Sequence, residues 1–571
     1  MTLTVPLELR DVTFTTPAWT SRCCVTSTCR STPASSGIVA PTGSGKSTLL
    51  GLLGGVILHY VRGELRGQVL LDGVDTRELS LRKFATRVGM VLQDPDSQLF
   101  NLLVRDEIVW GLENRGVARD QMGRRLAEIL QFFSIEKLRD RITYDLSGGE
   151  KRVVMAAVAV SQPDILLFDN PTSQLDPLGA ELVIESIKRV LAAHRTVVMV
   201  EDKLDELLEH ADRLVLLDRG QIVPDRPPAE FVRRHDELAH AGIVPSQVAQ
   251  PRCGWPRRAC WPTKLPLTLG DAVPIYRRIF EGGTAPAAAP VAALPGIADP
   301  AIEVRGLRFV YPPPRPIAAV QGVSLRLARG SFIAIIGQNG SGKTTLARCM
   351  SGYLTPSAGD VIVGGENVHQ LKTFRRARRI GYVFQNPATQ LFRQSVWDEV
   401  MFSLEYQGVG EGEAAQRAEA ILRLLDLWEQ RELHPFRLSL GNKQRLAIAC
   451  IAVIQPDALI VDEPTTGQDP RHARAVMGLL TQLRDRYGTT IITITHAMSL
   501  AAEYCDRVIA MRQGEVLLDG GPREVFAQRD LLATTFVKPP SITQLALELG
   551  LNPPPLNVDE AVAMLQERLA V

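Results

Sequence analysis

The pentapeptide Gly43-Ser44-Gly45-Lys46-Ser47 recurs as Gly340-Ser341-Gly342-Lys343-Thr344, and the chain downstream of each copy recurs with it. Gln93 and Gln385 stand 292 residues apart, Ser147 and Ser439 also 292, and Asp169 and Asp462 293. A period this long, in a chain of 571 residues, duplicates whole domains and rules out a short-repeat solenoid. The first repeat spans residues 5–232 with a tail over 233–282, and the second spans 301–530 with a tail over 531–571. The stretch 283–300 is rich in Ala, Pro and Gly and reads as a linker. The tails match too, Pro266-Leu-Thr-Leu-Gly-Asp-Ala-Val273 against Pro555-Leu-Asn-Val-Asp-Glu-Ala-Val562.

Charge narrows the partners. With 64 basic and 63 acidic residues, nothing points to nucleic acid or to an anionic surface held by charge alone. No apolar run approaches the ~20 residues that span a bilayer, and no signal peptide is present. The sequence therefore predicts a soluble chain that works at the cytoplasmic face of the membrane as a peripheral subunit. The eight Cys show no paired metal-ligand spacing, and Cys23, Cys24 and Cys29 lack an accompanying His or second CxxC.

Within each repeat, short apolar runs alternate with helical stretches, which predicts an α/β fold on a parallel sheet. Residues 331–336 read as a buried strand running into a Gly-rich loop, with a helix from Leu346 onward. Two segments break the pattern. Residues 20–36 are rich in Ser, Thr and Cys where the second repeat alternates as a strand, and residues 250–262 are rich in Cys, Trp, Pro and Arg. Divergence would account for either; preserved length with lost strand periodicity points to a local change of reading frame.

Gly337-Gln338-Asn339-Gly340-Ser341-Gly342-Lys343-Thr344-Thr345 fits the phosphate-binding loop in full. Its glycines let backbone N–H groups wrap phosphate, the helix N-terminus adds its dipole, Lys343 reaches the β/γ oxygens and Thr344 ligates Mg²⁺. Pro41-Thr42-Gly43-Ser44-Gly45-Lys46-Ser47-Thr48 is the matching loop of the first repeat. Each copy is followed by an apolar strand ending in Asp, Ile165-Leu-Leu-Phe-Asp169 and Ala458-Leu-Ile-Val-Asp462. That puts a Mg²⁺ carboxylate beside the loop and predicts ATP and Mg²⁺ as the bound pair.

Between loop and strand-Asp lies Leu146-Ser147-Gly148-Gly149-Glu150, which resembles the signature of ATP-binding-cassette ATPases. The resemblance covers both halves. Gln93 and Gln385 match the family's Q-loop, Ser173-Gln-Leu-Asp176 and Thr466-Gly-Gln-Asp469 its D-loop, and His496 its switch histidine. It implies two tandem nucleotide-binding domains, each with a parallel RecA-like core, an antiparallel β subdomain and a helical subdomain. It implies Glu463, His496 and Gln385 as catalytic residues and Tyr311 as the adenine-stacking aromatic. Thr344, Gln385 and Asp462 would be the metal set of the second repeat, and Ser47, Gln93 and Asp169 that of the first. In the family two such domains sandwich two ATP molecules head to tail, so the two halves here are expected to pair with one another.

The departures from the family pattern are sorted. The first repeat has Ala40 for the first loop glycine, Asn170 for the catalytic glutamate, Asp202 for the switch histidine and Thr16 where the second has Tyr311. The second repeat keeps all four but reads Leu438-Ser439-Leu440-Gly441-Asn442 at its signature, with Leu440 replacing a glycine. Under head-to-tail pairing, every defect falls on one composite site. The other combines Lys343, Glu463 and His496 with the intact Ser147, Gly148 and Gly149.

Both repeats carry Gln-x-Pro-x-x-Gln-Leu-Phe, ending at Phe100 and Phe392, followed by Asp106-Glu107 and Asp398-Glu399. This form is similar to the ATPase pair of energy-coupling-factor importers, which take up vitamins or cobalt and nickel ions. It implies a transmembrane scaffold and a substrate-binding membrane protein as partners. Asp106, Glu107, Asp398 and Glu399 are then expected to accept arginines from the scaffold, solvated surface carboxylates being the simpler reading of each alone. Two alternatives stand behind it. A ribosome-associated tandem-cassette factor would need a long basic helical arm, which the short linker does not supply. A fused sugar-importer ATPase fits the Gln-x-Pro form less well.

Overall fold

In the computed structural model the described residues are 7–15, 24–25, 29–31, 35–57, 61–146, 149–173, 175, 177–192, 196–250, 265–280, 297, 299–312 and 316–569. They fall into two compact units, Met1–Ala249 and Gln250–Val571.

In the second unit a parallel sheet runs Ile380–Val383, Ala458–Asp462, Thr490–Ile494, Phe332–Ile336 and Arg507–Arg512, and Glu515–Gly520 closes its edge antiparallel. Strands covered on both faces must be apolar throughout, and every residue of Phe332–Ile336 and Ala458–Asp462 is buried. A separate antiparallel sheet pairs Pro300–Tyr311 with Ile317–Ala328 and Ala358–Val363. Burial there alternates along the strands, as in a sheet with one wet face. Helices Val396–Tyr406, Glu411–Leu424 and Leu440–Ala452 pack as a helical layer. The α/β class, the parallel cores and the added β and helical parts are thus present as expected.

The first unit repeats the parallel order with Val88–Val91, Ile165–Asp169, Thr196–Glu201, Ser35–Val39 and Arg213–Asp218. Its antiparallel part differs. Among the described residues, the short strands Cys24–Val25 and Cys29–Ser31 pair with Leu7–Thr15 where the second unit has one continuous strand, Ile317–Ala328. The rest of the irregular 20–36 segment up to residue 34, and residues 251–262, lie outside the described residues.

Two expectations are corrected. The helix after the second loop begins at Lys343 and not at Leu346, because left-handed Gly342 (φ 98°) turns the chain directly into it. The helix Leu269–Phe280, assigned by sequence to the first repeat's tail, belongs to the second unit. It buries Ala272 and Tyr276 and packs on Ser541–Glu548. The matched tails do share a device. Thr268 and Asp271 cap one helix, and Asn557 and Glu560 cap the other, each pair three residues apart.

Candidate active site

The strand Phe332–Ile336 ends at the carboxyl edge of the sheet with neighbours on both sides, the crevice where α/β sheets bind ligands. The loop that follows is dictated by space. A Cβ on Gly337 (φ 143°) would lie 2.4 Å from Met511 O, and one on Gly342 would lie 2.2 Å from Ala319 O. Only glycine lets the chain pass. The first unit's loop keeps the same turns, with Gly43 and Gly45 at φ 80° and 100° against 78° and 98° for Gly340 and Gly342. Ser44 O and Ser341 O accept from Gly220 N and Gly514 N in corresponding hairpins. Ala40, fully buried, fits because its backbone is not left-handed. Lys343, Ser341 and Thr345 are buried, and Lys343 Nζ donates to Gly337 O and Gln338 O at 2.8 Å each.

At the strand ends, Thr344 Oγ1 donates to Asp462 Oδ1 (3.5 Å), and Ser47 Oγ donates to Asp169 Oδ2 (3.3 Å). Asp169 Oδ1 is buried with no hydrogen-bond partner among the described residues. A hydroxyl beside one carboxylate is the hard-oxygen set that Mg²⁺ takes, with phosphate and water completing the shell. Among the described residues no cluster of three or more His, Cys, Asp or Glu forms, and such a site needs none. Burial raises the pKa of both Asp169 and Asp462. Tyr382 Oη donates to Asp462 Oδ2 at 2.6 Å and opposes that rise. The sequence reading missed Tyr382. The available signal was a phenol on a core strand, which needs a partner when buried; the first repeat has Met90 there.

The second unit gathers its predicted residues around Glu463. His496 Nε2 lies 3.3 Å from Oε1, Gln385 Nε2 donates to Oε2 at 3.0 Å, and Thr466 Oγ1 donates to Oε2 at 2.9 Å. Burial pushes the Glu463 carboxyl up. The His496 hydrogen bond and charge, the Thr466 hydrogen bond and the Lys343 charge outweigh it and hold the carboxyl below its ordinary value. The Glu463 backbone sits in the left-handed region (φ 47°), a conformation held by surrounding structure. Tyr311 Oη lies 3.1 Å from Thr345 Oγ1, which puts the ring against the start of the loop helix. Thr535, from the C-terminal tail, accepts from Gln338 N (3.4 Å) and donates to Met511 O (2.9 Å), a brace the sequence reading did not find.

The first unit preserves the backbone and changes the chemistry. Asn170 has the same left-handed turn (φ 42°). Its Nδ2 donates to Asp202 Oδ2 (3.1 Å), and Asp202 forms an ion pair with Lys46. Gln93 Nε2 donates to Ser173 Oγ (3.5 Å) and not to position 170. Ser147, Gly148, Thr16, Gln174 and Asp176 lie outside the described residues; Gly149, the second signature glycine, is at φ −68°. In the second unit Leu440 opens the helix Leu440–Ala452 behind the N-cap Ser439 and is 44% exposed.

The Gln-x-Pro-x-x-Gln-Leu-Phe segments form matching knuckles. Asp94 and Asn386 cap a short turn begun by Pro95 and Pro387, and Gln98 and Gln390 side-chain oxygens accept from Leu92 N and Phe384 N. One expectation fails here. Glu107 and Glu399 are not surface acceptors. Both are buried, and Oε2 of each accepts two backbone N–H groups, from Phe100 and Asn101 in one unit and Phe392 and Arg393 in the other. Asp106 and Asp398 remain exposed, and the clamped loops hold Phe100 and Phe392 at the surface, 50% and 60% exposed.

A family model described as "ABC transporter" matches residues 33–173 and 320–466. A Methanosarcina mazei protein named "Putative ABC transporter ATP-binding protein" is 36% identical over 528 residues, 90% of this chain and 88% of the relative. A Methanosarcina acetivorans protein of the same name is 36% identical over 539 residues, 90% of this chain and 85% of the relative. Among solved structures, cbiO1 from Clostridium perfringens, described as part of the ABC transporter complex cbiONQ, is 34% identical. It has a TM-score of 0.38 and covers 41% of this chain and 94% of that one.

Proposed function

Because this chain belongs to the ABC transporter family and is an ATP-hydrolysing, ATP-binding subunit of a transporter, we propose that it energises an importer of the energy-coupling-factor type. The observation that carries this reading is the pair of knuckles. Each unit buries a glutamate that clamps the loop carrying an exposed phenylalanine, and the residue before that glutamate is an exposed aspartate. An exposed ring and an exposed carboxylate on one short segment suit a scaffold helix that brings an arginine, since Arg–carboxylate pairs add geometry to attraction. Among the described residues no helix is long and apolar enough to cross a membrane. In this reading the transmembrane scaffold and the substrate-binding component are separate membrane proteins, with the chain at the cytoplasmic face.

The residue roles follow the chemistry. Glu463 polarises the attacking water, His496 and Gln385 hold it and read the terminal phosphate, and Lys343 with the loop N–H groups cradles the phosphates. Thr344 and Asp462, with Gln385, would hold Mg²⁺, which when bound would supply charge neutralisation at the phosphates. The second unit's set works with Ser147, Gly148 and Gly149 of the first, and the opposite combination binds nucleotide and hydrolyses it poorly. Ser147→Arg should then stop hydrolysis and Ser439→Arg reduce it much less; equal losses would remove the pairing.

Affinity purification of the full chain from its own cells tests the partner. The expected result is co-purification with a multispan scaffold and loss of it in the Phe392→Ala, Asp398→Lys double variant with ATP binding kept. Co-purification with ribosomes would overturn the reading.

A further inference from the structure

The first phosphate loop already holds an anion. Lys46, whose ammonium should reach the β/γ oxygens of a nucleotide, is ion-paired with Asp202 and also donates to Ala40 O at 3.2 Å. Asp202 is itself fixed. It is buried, it follows the fully buried strand Thr196–Glu201, and its second oxygen accepts from Asn170 Nδ2 at 3.1 Å. The two substitutions that remove the general base and the switch histidine therefore act together, because the amide at 170 orients the carboxylate at 202 onto the lysine. In the second unit the equivalent pair turns away from the loop. His496 faces Glu463, and Lys343 donates to loop carbonyls.

We propose that Asp202 makes the first nucleotide site selective for a nucleoside diphosphate over a nucleoside triphosphate. The proposal rests on the reading of both loops as nucleotide sites. A bound triphosphate brings its terminal phosphate, the group Lys46 would otherwise neutralise, up to a buried carboxylate that already occupies that lysine. Like charges that close repel strongly where water is scarce. A diphosphate ends one phosphate earlier, so its β-phosphate lies in the ring of N–H groups from Gly43 to Ser47, whose turns match those of the intact loop, and it escapes most of the repulsion. The first site would then hold the product form of the nucleotide while the second site turns over.

The test uses the full chain carrying Lys343→Ala, so that titration calorimetry with Mg²⁺-ADP and Mg²⁺-ATP reads the first site. The expected result is ADP binding at least ~10-fold tighter than ATP, and a ratio within ~3-fold of unity after Asp202→Asn, reached by tighter ATP binding. Asn170→Ala, which releases Asp202 without touching the loop, should shift the ratio in the same direction. ADP binding retained in both variants reports that the loop is folded. Equal affinities in the parent, or a ratio that Asp202→Asn leaves unchanged, would overturn the proposal and leave the nucleotide reading standing. No binding of either nucleotide before or after the substitution would overturn both.

Discussion

The imidazole of His496 stands 3.3 Å from the carboxylate of Glu463, while the residue in the histidine's place in the other unit, Asp202, is ion-paired with the loop lysine Lys46. One position on one fold thus serves opposite ends. In the second unit it lies against Glu463, the proposed general base. In the first it neutralises the group that should meet phosphate.

Removing that base should stop the chemistry and spare binding. Glu463→Gln keeps the hydrogen bonds from Gln385 and Thr466 in reach but loses the charge. Turnover of the full transporter should fall by roughly 10²–10⁴-fold with ATP affinity little changed. Phosphate release assays on the variant, set beside Asn170→Asp, check it; the second change should leave turnover within about 3-fold.

Glu399 and Asp398 should behave as different kinds of residue. Glu399→Ala strands the N–H groups of Phe392 and Arg393, and each unsatisfied donor costs ~1–3 kcal/mol. Asp398→Lys, at an exposed site, should shift stability by no more than about 0.5 kcal/mol. Urea denaturation separates the two, and the second variant alone is fit for testing scaffold binding.

The two loops should also differ in tolerance. Gly337→Ala places a Cβ 2.4 Å from Met511 O and 2.8 Å from Ser341 Oγ. A strain of this sort costs at least ~1–3 kcal/mol and should show as a lower melting temperature and weaker ATP binding. Ala40→Gly meets no such wall and should change melting by only a degree or two, the entropy cost of glycine being roughly 0.5–1 kcal/mol.

Glu201 gives the first unit a pH dependence. Burial, helped by Glu206, raises its pKa from 4.5 to about 8, against the opposing hydrogen bonds from Thr172. The folded form therefore holds a proton that the unfolded chain gives up. The stability it contributes is fully present below about pH 4.5 and is lost as pH rises through about 8. The slope across that window approaches ~1.4 kcal/mol per pH unit. Urea midpoints of the first unit should fall as pH rises from about 5 to 8, and Glu201→Gln should flatten the trend.

Sequence alone determined the duplication, the α/β class, both phosphate loops, both strand carboxylates and which family positions each half departs from. These are legible because they are local. A glycine pattern, an apolar run ending in Asp and a repeat offset all survive in a one-dimensional string. Tertiary structure decided what the polar side chains at those positions do. Glu107 and Glu399 look like their exposed neighbours Asp106 and Asp398, and only helix phase and the approach of a loop eight or fewer residues away turn them inward to clamp backbone. Tyr382 bonds Asp462 across adjacent strands, and Thr535 reaches Gln338 from the far end of the chain. The pairing of Asp202 with Lys46 belongs to the same class. It joins residues more than 150 positions apart, one opening a helix and the other just past the strand Thr196–Glu201, and hydrogen bonds and ion pairs act over a few ångströms of space, whatever the distance along the chain.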